Sequence, residues 1–390
     1  MSSAAWPRDA ASTLLPAGSW LAVLGGGQLG RYFCMAAQSL GYRVCVLDPA
    51  SDSPAGALAD QHMQADYSDL AALEEIARRC AAATTEFENV PAPSLRFLQE
   101  RIRVAPGADA VAIAQDRIAE KSYLRSQGLP IGDYAEIRCE ADLAAAPADL
   151  FPAILKAARL GYDGKGQVPV SERSQALAAF NEVLSGEACV LERRLDLLGE
   201  VSVMVARDFD GAISTWPIAQ NVHRDGILLS SCVPAELDRV VGTQAQALAQ
   251  RVAQGLSYVG VLGVECFVVA GGRLLINEIA PRPHNSGHWT IDAAVTSQFE
   301  QQARILAGLP MGSTAALAPA AMLNLLGDCW ADGEPDWASV LADPRVKLHL
   351  YGKREPRRGR KMGHLTVLGN LGDDLPPALQ AAAQRLGIVL

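Results

Sequence analysis

A chain of 390 residues, 49% of them hydrophobic, suits a well-buried globular enzyme of two or three domains. Its formal net charge of −9 argues against a general nucleic-acid binder, and no apolar run reaches the roughly 18 residues that span a bilayer. The eight cysteines, scattered with no CxxC, read as reduced core residues of a cytoplasmic protein, and the six histidines show no metal-ligand spacing.

Residues 1–17 read as a flexible tail. The apolar patch from Ala10 to Ala17 is broken by Pro16, and Trp20-Leu21-Ala22-Val23-Leu24 is needed as a first strand, so a cleaved signal peptide is not expected. From residue 18 to 115 strands (21–24, 43–47, 82–85) alternate with helices (31–40, 70–80, 91–100), which predicts a parallel sheet covered on both faces. Gly25-x-Gly27-x-x-Gly30 after the first strand, with Asp48 ending the second, fits a dinucleotide fingerprint by spacing. A nicotinamide-dependent oxidoreductase therefore stays open at this point. Glu86 stands at the C-terminal end of a parallel strand, where open α/β sheets bind ligands, while Glu88 reads as an ordinary acid at the start of the next helix.

Residues 116–312 read as a second unit. Arg117 sits at a helix start, where a cation opposes the helix dipole and hints at an anion partner. A strand over 151–156 ends in Lys156, which a snorkelling lysine would explain equally well. It is followed by Gly161-Tyr162-Asp163-Gly164-Lys165-Gly166-Gln167 and a strand over 167–170, a flap whose backbone N–H groups can lie over phosphates. A helix over 172–184 and a strand over 188–191 lead to Glu192 and the hinge Arg193-Arg194-Leu195, whose backbone groups can read a base. An antiparallel pair (200–206 with 213–218) and a helix over 243–256 come next.

Val264 to Glu278 reads as two β-runs around Gly271-Gly272. With a two-residue turn, Glu265 and Glu278, each six residues from it, face one another on one side of the sheet, Cβ atoms about 5 Å apart. Opposed carboxylates among apolar neighbours call for a cation, and Mg²⁺ takes one or two carboxylates together with phosphate oxygens. The following loop gathers Arg282, His284, Asn285 and His288 with Pro281 and Pro283, a set suited to anions and bases. After an Ala/Pro-rich stretch at 313–321, strands over 322–326, 346–351 and 364–368 and a helix over 378–384 predict a small β-rich lobe at 313–390. Between Lys353 and Lys361, six cations and one acid suggest a phosphate site in an otherwise acidic chain.

Four stations carry a family resemblance: Gly25-Gly26-Gly27-Gln28-Leu29-Gly30-Arg31, the loop Gly161–Gln167, the run from Asn277 to Thr290, and Gly359-Arg360-Lys361-Met362-Gly363-His364. In this order they resemble the 5-(carboxyamino)imidazole ribonucleotide synthase family, ATP-grasp ligases of purine biosynthesis, over nearly all of the chain from residue 20 onward. The resemblance implies an α/β and α+β chain with an ATP-grasp fold, an N-terminal Rossmann-like pre-ATP-grasp domain and a small β-rich C-terminal lobe. It implies ATP and Mg²⁺, with 5-aminoimidazole ribonucleotide and bicarbonate as the other substrates, no nucleic-acid or membrane partner, and a homodimer.

Carried over residue by residue, the ATP site comprises Arg117, Lys156, Gly161, Tyr162, Asp163, Gly164, Lys165, Gly166, Gln167, Glu192, Arg193, Arg194, Leu195, Glu200, His223, Asn277 and Glu278. The ribonucleotide is met by Gln28, Leu29, Glu86, Tyr162, Asn285, Lys353, Arg360 and Lys361. Glu265 and Glu278 hold the metal, and Asp163, Arg282, His284 and Asn285 are the catalytic set. Arg358 departs from the pattern, standing where relatives usually carry Pro, and Lys165 supplies charge at a position that takes Lys or Arg. A formate-dependent glycinamide ribonucleotide ligase shares the phosphate logic, but Tyr162-Asp163 and His288-Trp289 favour the imidazole substrate.

Overall fold

Strands β1 (Trp20–Leu24), β2 (Arg43–Leu47), β3 (Gln61–Met63), β4 (Ala82–Thr85) and β5 (Arg103–Val104) form an all-parallel sheet in the order 3-2-1-4-5. The structure is a computed structural model and describes residues 13–161, 166–370 and 375–390. Both faces of β1 are buried: Leu21 and Val23 pack with Phe33 of helix α1 (Gln28–Ser39), while Ala22 and Leu24 pack with Leu73 and Leu95. Strands covered on both sides read as unbroken apolar runs, and this one does. β3 and β5, three and two residues long, leave no such trace in the sequence. Helix α1 starts at Gln28, so its first turn abuts the glycine loop.

The second unit begins with β6 (Tyr134–Ile137), β7 (Ala153–Ala157), β8 (Gln167–Val170) and β9 (Cys189–Arg193), ordered 6-9-7-8. β7 and β8 pair antiparallel, with Lys156 opposite Gln167, so the glycine loop is a hairpin loop as expected. Its residues Tyr162, Asp163, Gly164 and Lys165 lie outside the described residues. The helix expected over 172–184 is instead an α-helix, Arg173–Ala178, that runs into a π turn, Ala179–Val183.

The central sheet contains β10 (Leu197–Arg207), β11 (Ile213–Thr215), β12 (Ala219–Arg224), β13 (Ile227–Val233), β14 (Gly260–Val269), β15 (Arg273–Ala280), β16 (Ala320–Leu326), β17 (Val346–Leu350) and β18 (Lys361–Leu368). Its order is 15-14-10-12-13-16-18-17, with β11 beside β10. The C-terminal strands thus continue the same sheet. Helix Arg239–Gly255 covers one face through Ala245, Leu248 and Val252 against Val203, Leu262 and Ile276. The C-terminal helix Leu375–Arg385 packs Leu379 and Ala383 onto Leu323 and Val367.

The β12–β13 hairpin was not expected, although its signal is present. Asp225-Gly226 form the turn with φ of 51° and 76°, the double positive φ that a type I′ turn needs and Asp-Gly supplies. All eight cysteines are free, but Cys139 is exposed and so is not a core residue. Among the described residues no helix is long and apolar enough to cross a membrane.

Candidate active site

The opposed carboxylates exist, but the turn does not produce them. The β14–β15 loop is three residues, Ala270–Gly272, with φ of 76° at Gly271 and 70° at Gly272. From it Val269 faces Arg273 and Cys266 faces Ile276. Continued, that register would set Asn277 against Glu265 and send Glu278 to the opposite face. A bulge leaves Asn277 unpaired and brings Glu278 opposite Glu265. The bulged Asn277 is held by Lys121, whose Nζ donates to its carbonyl at 3.0 Å, and Ile279 N donates to Glu120 Oε1 at 2.6 Å.

Cross-strand partners share a face, so the register extends this one. Glu265 faces Ser202, Glu200 faces Asn221, Asn221 faces Ser231, and Asn324 faces His364. A polar stripe therefore crosses the sheet from Glu278 into the C-terminal strands. Over its acidic end lie Arg117, whose Nη1 is 3.1 Å from Glu278, and His284, whose Nε2 is 3.2 Å from Glu265. Ser286 N donates to His284 Nδ1 at 3.3 Å, and the Ser286 hydroxyl lies 2.8 Å from the same nitrogen. Nδ1 is thus the acceptor, and the ring proton sits on Nε2, facing Glu265.

Burial, with Glu278 adding to it, pushes the Glu265 carboxyl up to about 7. Two opposed acids, Glu265 buried and Glu278 with 37% of its side chain exposed, offer oxygen ligands that suit a hard divalent cation such as Mg²⁺. Because such an ion binds the ionised form, its uptake must expel the proton from Glu265. Binding of Mg²⁺ with a non-hydrolysable ATP analogue should strengthen from pH 6 to 8, by up to about tenfold per pH unit. Calorimetry in buffers of different ionisation enthalpy should show proton release near pH 6.5 that vanishes by pH 8.5. Equal release at both values would remove Glu265 from the metal.

The glycine loop of the first domain is already filled by the protein. Glu86 accepts from Gly27 N (2.7 Å) and Gly30 N (2.9 Å). Asp48 accepts from Gly26 N (2.7 Å), Ala50 N (2.8 Å) and the Tyr67 hydroxyl (2.6 Å). The N–H groups that would cradle a pyrophosphate and the acid that would hold a ribose are both taken, which removes the support for the oxidoreductase reading. Glu86, expected at the substrate, spends one lone pair of each oxygen on the loop. Glu88, passed over in the sequence, is the partner of Arg282, its Oε2 2.6 Å from Nε. Burial would raise the Glu88 carboxyl, but the guanidinium holds it below its ordinary value.

The basic run is not one patch. Lys353 Nζ donates to Gln28 Oε1 and to Lys361 O, both at 2.7 Å, joining the C-terminal strands to the glycine loop. Lys361 is near enough to Glu265 and His223 to bias their ionisation. Arg360 donates to Glu355 O at 3.0 Å. Arg357 pairs with Glu355, and Arg358, 93% exposed, reaches toward Asp328. Leu29 also differs from expectation, since its side chain is buried with Tyr32, Phe299 and Tyr351.

Three families match successive parts of the chain: the ribonucleotide synthetase preATP-grasp domain at 19–115, the ATP-grasp domain at 122–299, and the phosphoribosylaminoimidazole carboxylase C-terminal domain at 320–375. N5-carboxyaminoimidazole ribonucleotide synthase of Brucella melitensis is 44% identical over 357 residues, 91% of this chain and 97% of the relative. That of Bacillus subtilis is 40% identical over 362 residues, 92% and 93%. The chain belongs to the N5-carboxyaminoimidazole ribonucleotide synthase family. Among solved structures of this family, the Staphylococcus aureus synthetase complexed with ADP superposes with a TM-score of 0.88 at 35% identity, covering 96% of this chain and 98% of that one. The Aspergillus clavatus synthase, in complex with ADP and 5-aminoimidazole ribonucleotide, gives 0.87 at 29%, covering 95% and 99%.

In this ATP-grasp ligase five of the residues expected at ATP, Arg117, Lys156, Glu192, Asn277 and Glu278, come together between the small and central sheets. Lys156 and Lys121 Nζ lie 3.0 and 3.5 Å from Glu192 Oε2. Burial would raise Glu192, but the two ammonium groups override it and hold the carboxyl at about 2. Its other oxygen, Oε1, is buried without a partner, an acceptor suited to an amine. Arg193 and Arg194 N–H are committed to Asp133 O and Pro152 O at 2.9 Å, and the Arg193 side chain turns outward to Asp149. Glu200 Oε2 lies 3.0 Å from His223 Nδ1. Gly166, with φ of 71°, closes the flap hairpin by accepting from Ala157 N at 2.8 Å.

Sequence spacing also missed a cluster. Ligand atoms of Asp292, His349 and His364 lie within 4.8 Å of one another. The two imidazoles, however, stack at 11° with centroids 4.5 Å apart, so no ion can lie in both ring planes. Asp292–His349 (2.8 Å) instead ties β17 to the segment that follows the Arg282–His288 loop, and Tyr351–His364 (2.9 Å) joins the end of β17 to β18.

Proposed function

We propose that the protein carboxylates the amine of 5-aminoimidazole ribonucleotide, using ATP and bicarbonate, in the cytoplasm. The opposed Glu265–Glu278 pair, placed where the ATP-side cations meet the Arg282–Asn285 loop, is the observation that supports it most. Bicarbonate is a poor electrophile. Its oxygen attacks the γ-phosphorus and ADP leaves, giving carboxyphosphate. The amine then forms its bond to that carbon, or to the CO₂ released from it; phosphate departs and the amine loses a proton. When bound at Glu265 and Glu278, Mg²⁺ would neutralise phosphate charge.

The chain's own groups do the positioning. Arg117 and Lys156 bring cations to the phosphates, Glu192 Oε1 takes an amine of the base, and Glu200 with His223 flanks the nucleotide. Closure of the glycine loop between β7 and β8, to whose sequence Tyr162 and Asp163 belong, would keep water from carboxyphosphate. Arg282, His284 with its Nε2 proton, and Asn285 line the bicarbonate and ribonucleotide side. We assign the 5′-phosphate to Lys353, Arg360 and Lys361, with Gln28 between domains, and a homodimer as the assembly, a mass about twice 41.3 kDa by light scattering.

The decisive assay is ADP release. It should require both bicarbonate and 5-aminoimidazole ribonucleotide for full rate, and glycinamide ribonucleotide with formate should not substitute. Dependence on formate would overturn the reading. Within the basic run, Lys353→Ala should raise the ribonucleotide KM more than Arg360→Ala, because Lys353 already faces Gln28 while Arg360 is turned onto Glu355. The KM for ATP should stay unchanged in both. A larger effect on ATP would move the run to the triphosphate.

A further inference from the structure

We infer that Asn324 is a positioning residue of the reaction, fixing which end of the Asn285 amide faces the substrates; this rests on the role proposed above for Asn285. An asparagine amide carries a donor at one end and an acceptor at the other, and rotation about its last bond exchanges them. An unheld amide would present both. Asn285 and Asn324, 5% and 0% exposed, exchange two hydrogen bonds. Asn285 Nδ2 donates to Asn324 Oδ1 at 3.0 Å, and Asn324 Nδ2 donates to Asn285 Oδ1 at 2.7 Å.

Taken alone the pair is ambiguous, since turning both amides over preserves both bonds. The third contact removes the ambiguity. Asn324 Nδ2 also donates to Leu228 O at 2.8 Å, and a backbone carbonyl only accepts. Turning Asn324 over would set two oxygens against each other in a buried place. The backbone of β13 therefore orients Asn324, and Asn324 orients Asn285. What remains to Asn285 is one N–H and one oxygen lone pair, in a fixed arrangement. The residue beside it, His284, reaches Glu265 at 3.2 Å, so a turned amide would misplace a donor next to the groups handling bicarbonate. The device also explains a role for the C-terminal strands: β16 supplies no charge to the site, only this amide.

The test is a double-mutant cycle with Asn285→Ala, Asn324→Ala and the double variant, together with Asn324→Leu. Asn324→Leu should lower kcat for carboxylation about tenfold or more, leave the KM for ATP within about twofold, and raise the ADP formed per carboxylated product. If Asn324 acts through Asn285, the double variant should be no slower than Asn285→Ala alone. Binding of an ATP analogue reports that each variant is folded; should the leucine variant fail there, the alanine variant, which admits water to the Leu228 carbonyl, carries the test. Wild-type kcat in the Asn324 variants, or losses that multiply in the double variant, would overturn the inference. Normal turnover in Asn285→Ala would instead show that the reading of Asn285 itself is wrong, and the inference would fall with it.

Discussion

Glu278→Gln should reduce turnover on the order of 10²-fold or more at saturating Mg²⁺, because phosphate charge is left uncompensated during transfer. Glutamine keeps the size of the side chain, and its carbonyl can still accept from Arg117, now 3.1 Å from Oε2. What it loses is the charge. Stability should change far less than turnover. In the metal-free protein Glu278 helps hold the Glu265 carboxyl up to about 7, so removing its charge relieves repulsion there, while its attraction for Arg117 and Arg282 is lost. A variant that folds and melts close to wild type yet turns over at about a hundredth of the rate is therefore expected. Glu265→Gln should behave alike. Near-normal turnover in Glu278→Gln would remove the pair from metal binding and leave the centre of the site unexplained.

The glutamate pair shows how far the sequence can be read. Spacing about Gly271-Gly272 predicts the right partners through the wrong turn, since a three-residue loop and a bulge at Asn277 together restore the register that two residues would have given. Nothing local announces the bulge; its carbonyl is held by Lys121 from 156 residues away. The parallel first sheet was legible because β1 is buried on both faces and β1 and β4 are each followed by a helix. The β12–β13 hairpin was legible in principle from Asp225-Gly226. What no single sequence shows is which charges meet across domains. Glu88 finds Arg282 at a separation of 194 residues and Lys353 finds Gln28 at 325. The run from Lys353 to Lys361 looks like one patch in the chain because it is contiguous there, yet its side chains diverge to Gln28, to Asp328 and toward Glu265.

Arg282→Met should cost about 3–5 kcal/mol of stability, the range found when one partner of a buried ion pair is removed. The Arg282 and Glu88 side chains are 16% and 23% exposed, with Nε–Oε2 at 2.6 Å. Loss of Arg282 strands Glu88 and takes a nearby cation from Glu86 and Glu278, which keep the Gly27 and Gly30 N–H groups and Arg117. Methionine fills most of the volume, which makes the loss electrostatic rather than a cavity effect. Its pH dependence then has a definite sign. In wild type Glu88 is held below its ordinary value, so the pair's contribution is complete above the unfolded glutamate range and is lost as pH falls through the folded value. In the variant, burial acts on Glu88 against only a backbone hydrogen bond and Arg117, so the carboxyl rises and protonation costs the folded state less as pH falls. The gap in melting temperature between wild type and Arg282→Met should therefore narrow from pH 8 to pH 5. Adding Glu88→Gln to the variant should recover much of the stability at pH 8 but none of the turnover, because the neutral amide introduced there needs no cation while the site still lacks its guanidinium. A gap that is constant with pH, or a double variant as unstable as Arg282→Met, would show that Arg282 is held by packing and that its pairing with Glu88 contributes little.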